Sequence, residues 1–157
     1  MTAQLNREGP AINGWINFLR AHAAVLRQAN ADLMQEHGLT INDYEVLLHL
    51  ARADDRQLRR VDLAERVLLT PSGITRLLGG LERAGYVDRA QCETDARVTY
   101  AVLTDAGFEK LRAAAPTHLD SIHTVFAGRF SEQELETLAA LLGRLSDEDE
   151  VPACEPE

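Results

Sequence analysis

Apolar residues in the first part of the chain recur at helical spacing. Ile12, Ile16, Leu19, Ala23, Leu26 and Leu33 form one stripe of a helix running from Pro10 to about Met34. Trp15, Phe18, His22, Val25 and Ala29 form a second stripe, roughly 100° further round the same helix. A stripe that wide calls for more than one packing neighbour. Gly38 closes this unit, and "LTIND" opens the next, with Thr40 as N-cap and Asp43 three residues on as an acidic variant of the capping box. Tyr44, Val46, Leu47, Leu48 and Leu50 then make a short, mostly buried helix.

Through the middle of the chain the pattern shortens. "RADDRQLR" reads as a turn and a short extended segment, "VDLAERV" as a compact helix, and "LLTP" as its break. In "PSGITRLLGGLER", Ile74, Leu77, Leu78 and Leu81 fall at i, i+3, i+4 and i+7, while Ser72, Thr75, Arg76, Gly79 and Arg83 lie on the opposite face. Thr70 suits the N-cap, Pro71 the first helical position and Gly85 the position after the last turn. "YVDRAQC" and "VTYAVLT" are β-prone runs joined by the polar "ETDAR", which predicts a hairpin. Thr104 caps a further helix that Pro116 is expected to bend or split, and Gly128 ends it. In the last helix Ser131 and Glu134 form a capping box, and Leu135, Leu138, Leu142 and Leu145 repeat at a/d spacing. The fold class is therefore mainly α with a small β-hairpin.

A small helix, a tight turn, a helix with a polar outer face and a hairpin directly after it make a helix-turn-helix with a wing. Ser72, Thr75 and Arg76 can reach base edges and phosphates in a major groove, and the helix N-terminus adds donors for a phosphate. Gly73 and Gly79 let the backbone come close. In the hairpin loop, Asp95 and Arg97 are spaced so that the carboxylate can brace the guanidinium, and a braced arginine at a wing tip can enter a narrow minor groove. The same residues also fit an ordinary helical hairpin with a solvated face and a surface ion pair.

Charge first argues against this reading, then supports it. The formal charge is −9, but the last twelve residues, "SDEDEVPACEPE", hold six acids and no base. Between Arg56 and Tyr100 stand eight arginines against six acids, a local balance of +2. Arginine's planar fork suits bidentate contact with phosphate or guanine, although a coding bias toward arginine gives the same excess. The 45% apolar and 26% charged composition of the 157 residues is that of an ordinary globular domain. The start "MTAQLNREGPAING" lacks the pattern of a secretory leader and no long apolar run follows, so a cytoplasmic protein without a membrane segment is expected.

The run "DLAERVLLTPSGITRLLGGLERAGYVDRAQCETDARVTYAVLTDAGFEKL" resembles the winged helix-turn-helix core of the MarR family of bacterial transcriptional regulators, including a D-x-R wing motif at Asp95 to Arg97 and the "LTDAG" after it. The resemblance implies a regulator that binds double-stranded DNA as a homodimer on a palindromic operator, often a ligand-responsive repressor. It implies a helical dimerisation region at residues 1–36 and 104–146 and a winged domain at 37–103, while the acidic composition of residues 147–157 predicts a disordered tail. The DNA-contacting residues would be Thr70, Ser72, Gly73, Thr75 and Arg76 in the major groove, Arg89 on a phosphate, and Arg97 with Asp95 in the minor groove. The wide stripe of the first helix and the leucine repeat of the last agree with a dimer, or pack on each other within one chain. The chain departs from the family at Gly79 and Gly80, where bulky polar or basic residues are usual, and at Asp88 and Ala96, where basic ones are. Val61 takes the place of a capping serine, with Asp62 as a candidate substitute.

An effector pocket where the two regions meet would involve Trp15, His22 and Tyr44, which suit an aromatic or phenolic anion or are simply core. Cys92 near Arg89 is a candidate redox-sensing thiol, and a winged-helix protein-interaction module without DNA binding is a further alternative. Two cysteines are too few for a disulfide framework. The five histidines show no metal spacing, and no nucleophile elbow or phosphate loop is present, so neither an enzyme, a metal site nor a cofactor is expected.

Overall fold

The computed structural model describes residues 9–145, apart from 93 and 96. The acidic tail, Cys154 and Ala96 lie outside the described residues. Helix α1 (Pro10–His37) begins at the proline expected to open it and runs about a turn beyond Met34. It stops because Gly38 takes a left-handed conformation at φ 65°, and its N–H and that of Leu39 turn back to the carbonyls of Met34 and Leu33. Helix α2 (Ile41–Arg52) opens on the full Thr40–Asp43 capping box. A single 3-10 turn (Asp54–Arg56) leads into strand β1 (Gln57–Arg59), helix α3 (Arg60–Arg66) and helix α4 (Pro71–Arg83). Strands β2 (Val87–Gln91) and β3 (Thr99–Leu103) follow, then α5 (Asp105–Val125) and α6 (Glu132–Gly143), the last with its Ser131–Glu134 capping box in place.

The predicted hairpin is present, with Val87 opposite Leu103 and Gln91 opposite Thr99. The short segment before α3 joins it: β1 pairs antiparallel with β3, giving the order β1-β3-β2. Two other expectations need correction. Pro116 does not split α5, which continues through it to Val125, because a proline deletes one backbone donor while the neighbouring turns keep theirs. Asp62 does not cap α3, whose first turn has no side-chain cap, because both its oxygens take Arg59 at 2.7 Å.

The described residues form two compact units, divided after Leu119. In the first, Leu33, Leu47, Leu50, Leu63, Leu78 and Val87 are fully enclosed, so α1, α2, α3, α4 and the sheet share one core. That core takes only Ala29 and Leu33 from α1, leaving Ile12, Trp15, Ile16, Phe18, Leu19 and Leu26 exposed. In the second unit, α6 buries no residue, and Leu141 and Leu142 stand exposed.

Candidate nucleic-acid interface

Helix α4 is anchored on one side only. Ile74, Leu78 and Leu81 are buried in the core, which turns Ser72, Thr75 and Arg76 to solvent. The turn before it is tight: Leu69 N–H bonds the Ala64 carbonyl at 2.9 Å, and Leu68, 91% exposed, is held at φ 53°. A leucine in this left-handed region marks a turn whose direction is imposed by the packing on either side.

At the N-terminus of α4, Thr70 Oγ1 accepts the Gly73 amide at 3.1 Å and lies 3.2 Å from Ser72 Oγ. A methyl at residue 73 would sit 3.1 Å from the capping oxygen, a tight contact that would press on the cap. Pro71 has no N–H and Gly73 spends its own on the cap, which leaves Ser72 with the open amide of the first turn. Thr75 donates its hydroxyl to the Pro71 carbonyl at 2.8 Å, so its methyl and lone pairs are what remain for a partner. Arg76 carries no ion pair among the described residues. Its guanidinium is thus available to a base or phosphate without first breaking an internal contact.

Arg83 is a candidate missing from the predicted set. Its guanidinium folds back along α4, and a methyl at residue 79 or 80 would lie 3.5 Å from Nη1 or 4.0 Å from Nη2. The two glycines therefore bring a cation from the next turn over the place where a longer side chain would stand. The i, i+3 and i, i+4 spacing was visible in the sequence, but the direction of the long side chain was not.

The wing carries Arg97 at its tip, with the side chain 95% exposed. Asp95 shapes the tip mainly through the backbone: its Oδ1 accepts the Arg97 amide at 3.0 Å, and its carbonyl accepts the Val98 amide at 3.0 Å. The expected brace on the guanidinium is only a 3.8 Å approach, a loose surface pair worth little by itself. Arg89 on β2 is paired with Glu82 of α4 at 3.1 Å, so it would have to share or leave that carboxylate to meet a phosphate. The root of the wing is strapped to α5. Thr104 donates its hydroxyl to the Gly85 carbonyl at 2.7 Å, Gly85 itself lying at φ 77°, and donates its amide to the Tyr86 carbonyl at 3.1 Å. A side chain at Gly107 would overlap that same Tyr86 carbonyl.

The three residues predicted to line an effector pocket have different surroundings. Trp15 and His22 flank Phe18 in an exposed aromatic row on α1, with ring centroids 6.4 and 6.2 Å from the phenyl. Tyr44 is buried in α2, where its ring meets His118 at 4.5 Å. The Cys92 thiol is held below its ordinary range by the Thr94 hydroxyl, 3.2 Å away, and then by the backbone amides of Thr94 and Asp95. The cause differs from the neighbouring cation expected at Arg89. Among the described residues, no three His, Cys, Asp or Glu side chains gather as a metal site, and no helix is long and apolar enough to cross a membrane.

A sequence model of the MarR family matches residues 37–98. The chain is similar to the HTH-type transcriptional regulator YkoM of Bacillus subtilis, at 33% identity over 84% of this chain and 83% of that one. It is also similar to the HTH-type transcriptional repressor YetL of the same organism, at 33% identity over 69% of this chain and 64% of that one. Among solved structures it resembles Sco3205, a MarR family transcriptional regulator from Streptomyces coelicolor in complex with DNA. The TM-score is 0.78 and the identity 27%, over 90% of this chain and 91% of that one.

Proposed function

The chain belongs to the MarR family of transcriptional regulators, not to a family of enzymes, and from that premise we propose that it is a sequence-specific DNA-binding repressor acting as a homodimer on a palindromic operator. The observation that carries the proposal is α4. It is buried along Ile74, Leu78 and Leu81 and presents Ser72, Thr75 and Arg76, which has no ion pair among the described residues, on one outward face, beside a wing that holds Arg97 clear of the protein. In this reading Thr70, Ser72, Gly73, Thr75 and Arg76 meet the major groove, Arg89 a phosphate, and Arg97 the minor groove from a tip shaped by Asp95. Residues 37–103 form the DNA-reading part.

Residues 1–36 and 104–146 form the dimerising part in the same reading. The uncovered apolar rows of α1 and α6 support this, because surfaces of that kind are normally covered by a partner. The repressive sign follows the likeness to YetL, and the DNA-bound state the likeness to Sco3205. A small aromatic or phenolic effector would act by preferring one spacing of the two winged domains, and the reading needs no cofactor. The site of action is the cytoplasm, where the chromosome lies. Selection of binding sites from a random duplex pool tests the proposal. A palindrome with half-sites about one helical turn apart is expected, and a pool that stays unenriched contradicts it.

The Cys92 thiol favours a second reading, in which oxidation of the wing releases DNA. Peroxide would then lower operator affinity, and Cys92→Ser would protect it. A peroxide-insensitive operator complex removes this reading and leaves the first.

A further inference from the structure

Between the start of α3 and the wing lies a cleft of about 190 Å³, lined by Arg59, Arg60, Val61, Arg97, Val98 and Thr99. Three of its six walls are cations and none is an acid. The three arginines are not equivalent. Arg59 is satisfied, its Nε and Nη2 bonded to the two oxygens of Asp62 at 2.7 Å. Arg97 is exposed and only loosely approached by Asp95. Arg60 is the unusual one: its Nε and Nη2 are buried and have no hydrogen-bond partner among the described residues. A guanidinium carries donors and no acceptor, so these buried N–H groups can be satisfied only by an acceptor from elsewhere. Buried charged donors without an acceptor are costly and rare, and an acceptor that enters from solution is the direct remedy.

We infer that this cleft is an oxyanion site, in which the fork of Arg60 anchors one carboxylate or phosphate group and Arg97 closes over it. The Thr99 hydroxyl supplies a further donor, and Val61 and Val98 an apolar wall. The cleft is smaller than the roughly 300 Å³ at which drug-sized pockets begin, so it takes a small anion or a single phosphate of a longer molecule. Two sources share that chemistry: a free carboxylate or phosphate, and the DNA backbone. Arg97 belongs both to this cleft and to the proposed minor-groove contact. A free anion that holds Arg97 therefore withdraws it from DNA. That coupling rests on the DNA-binding reading above, whereas the anion site itself does not.

The test uses the full chain, ¹⁵N-labelled, with arginine Nε–Hε signals followed during titration with inorganic phosphate, chloride keeping the ionic strength constant. The signal lost in Arg60→Gln is expected to shift saturably in the parent protein. Arg97→Gln, a change at an exposed tip that leaves the core intact, should weaken that saturation about tenfold, the loss of one charge-assisted hydrogen bond. A second arm measures Arg60→Gln on DNA. If free phosphate gives no saturation but this variant lowers affinity on operator and shuffled duplex alike, with a salt slope shallower by about one, the oxyanion is a backbone phosphate. If Arg60→Gln does not fold, Arg97→Gln decides the first arm and Arg60→Lys, which keeps the charge without the fork, the second, read as a lower affinity on both duplexes with the salt slope unchanged. No response in either arm overturns the site. Phosphate binding without any DNA binding would refute the regulator and leave the cleft, while operator binding with both arms silent would refute the cleft alone.

Discussion

The guanidinium of Arg83 lies over Gly79, one turn back along α4, and a methyl at residue 79 would meet its Nη1 at 3.5 Å, an ordinary contact distance. Glycine in a helix interior costs about 1 kcal/mol relative to alanine. Gly79→Ala should therefore raise the free energy of unfolding by about 1 kcal/mol, read from urea melts. If the Arg83 guanidinium, held along α4, meets a phosphate, Arg83→Ala should lower affinity for operator and shuffled DNA alike. A loss confined to the operator would make Arg83 a base-reading residue instead.

Arg76 and Arg97 differ in what each is expected to do. Arg76→Ala should reduce the preference for operator over shuffled duplex by about 1–3 kcal/mol, the range for a bidentate base contact. Arg97→Ala should weaken operator binding while sedimentation shows the dimer unchanged. Anisotropy titrations on both duplexes check the pair, and unchanged binding in Arg97→Ala would remove the wing from the interface.

Two histidines make stability depend on pH. Burial holds His118 below the ordinary histidine range; burial, then the charges of Arg66 and Arg52, do the same for His49. Both folded values lie below the unfolded value of about 6.5, so the unfolded chain binds more protons as pH falls through it. The stabilisation is full above that value and is lost progressively as pH falls toward the folded ones. Glu45, raised by burial, has the opposite sign: its share is lost as pH rises through its folded value. Urea midpoints at about pH 7.5 and about pH 5.5 should differ less in His118→Phe, which keeps a ring against Tyr44 and removes the titrating group, than in the parent. An identical pH dependence in both would show that His118 contributes none of it.

The Cys92 thiol leans on its neighbours in a way that alkylation can read. In a Cys154→Ser background, Thr94→Val removes the hydroxyl that chiefly lowers the thiol pKa, so iodoacetamide should react more slowly at neutral pH. Equal rates would mean that the thiolate is held by the backbone amides of the tip alone.

What could be read from the sequence was local. The capping pairs Thr40–Asp43 and Ser131–Glu134, the Thr70 cap and the closing glycines Gly38 and Gly85 involve residues only a few positions apart, so composition and spacing sufficed. The hairpin followed from two β-prone runs around a polar loop. Strand β1 did not emerge as a sheet member because its partner, β3, lies some forty residues on, with Leu58 opposite Ala101. Asp62 was misread because a cap and an ion pair with Arg59 compete for one carboxylate, and only three-dimensional geometry decides between them. The Arg60 cleft was illegible for the same reason: it exists only where the wing folds beside the start of α3.

The most direct test of the central claim is fluorescence anisotropy of the purified chain on the selected palindromic duplex and on its shuffled counterpart, across a salt series. A preference of about 4 kcal/mol or more for the palindrome, with a linear log-log salt dependence, is expected. Equal, weak binding to both duplexes, or no salt-dependent association with either, would contradict it.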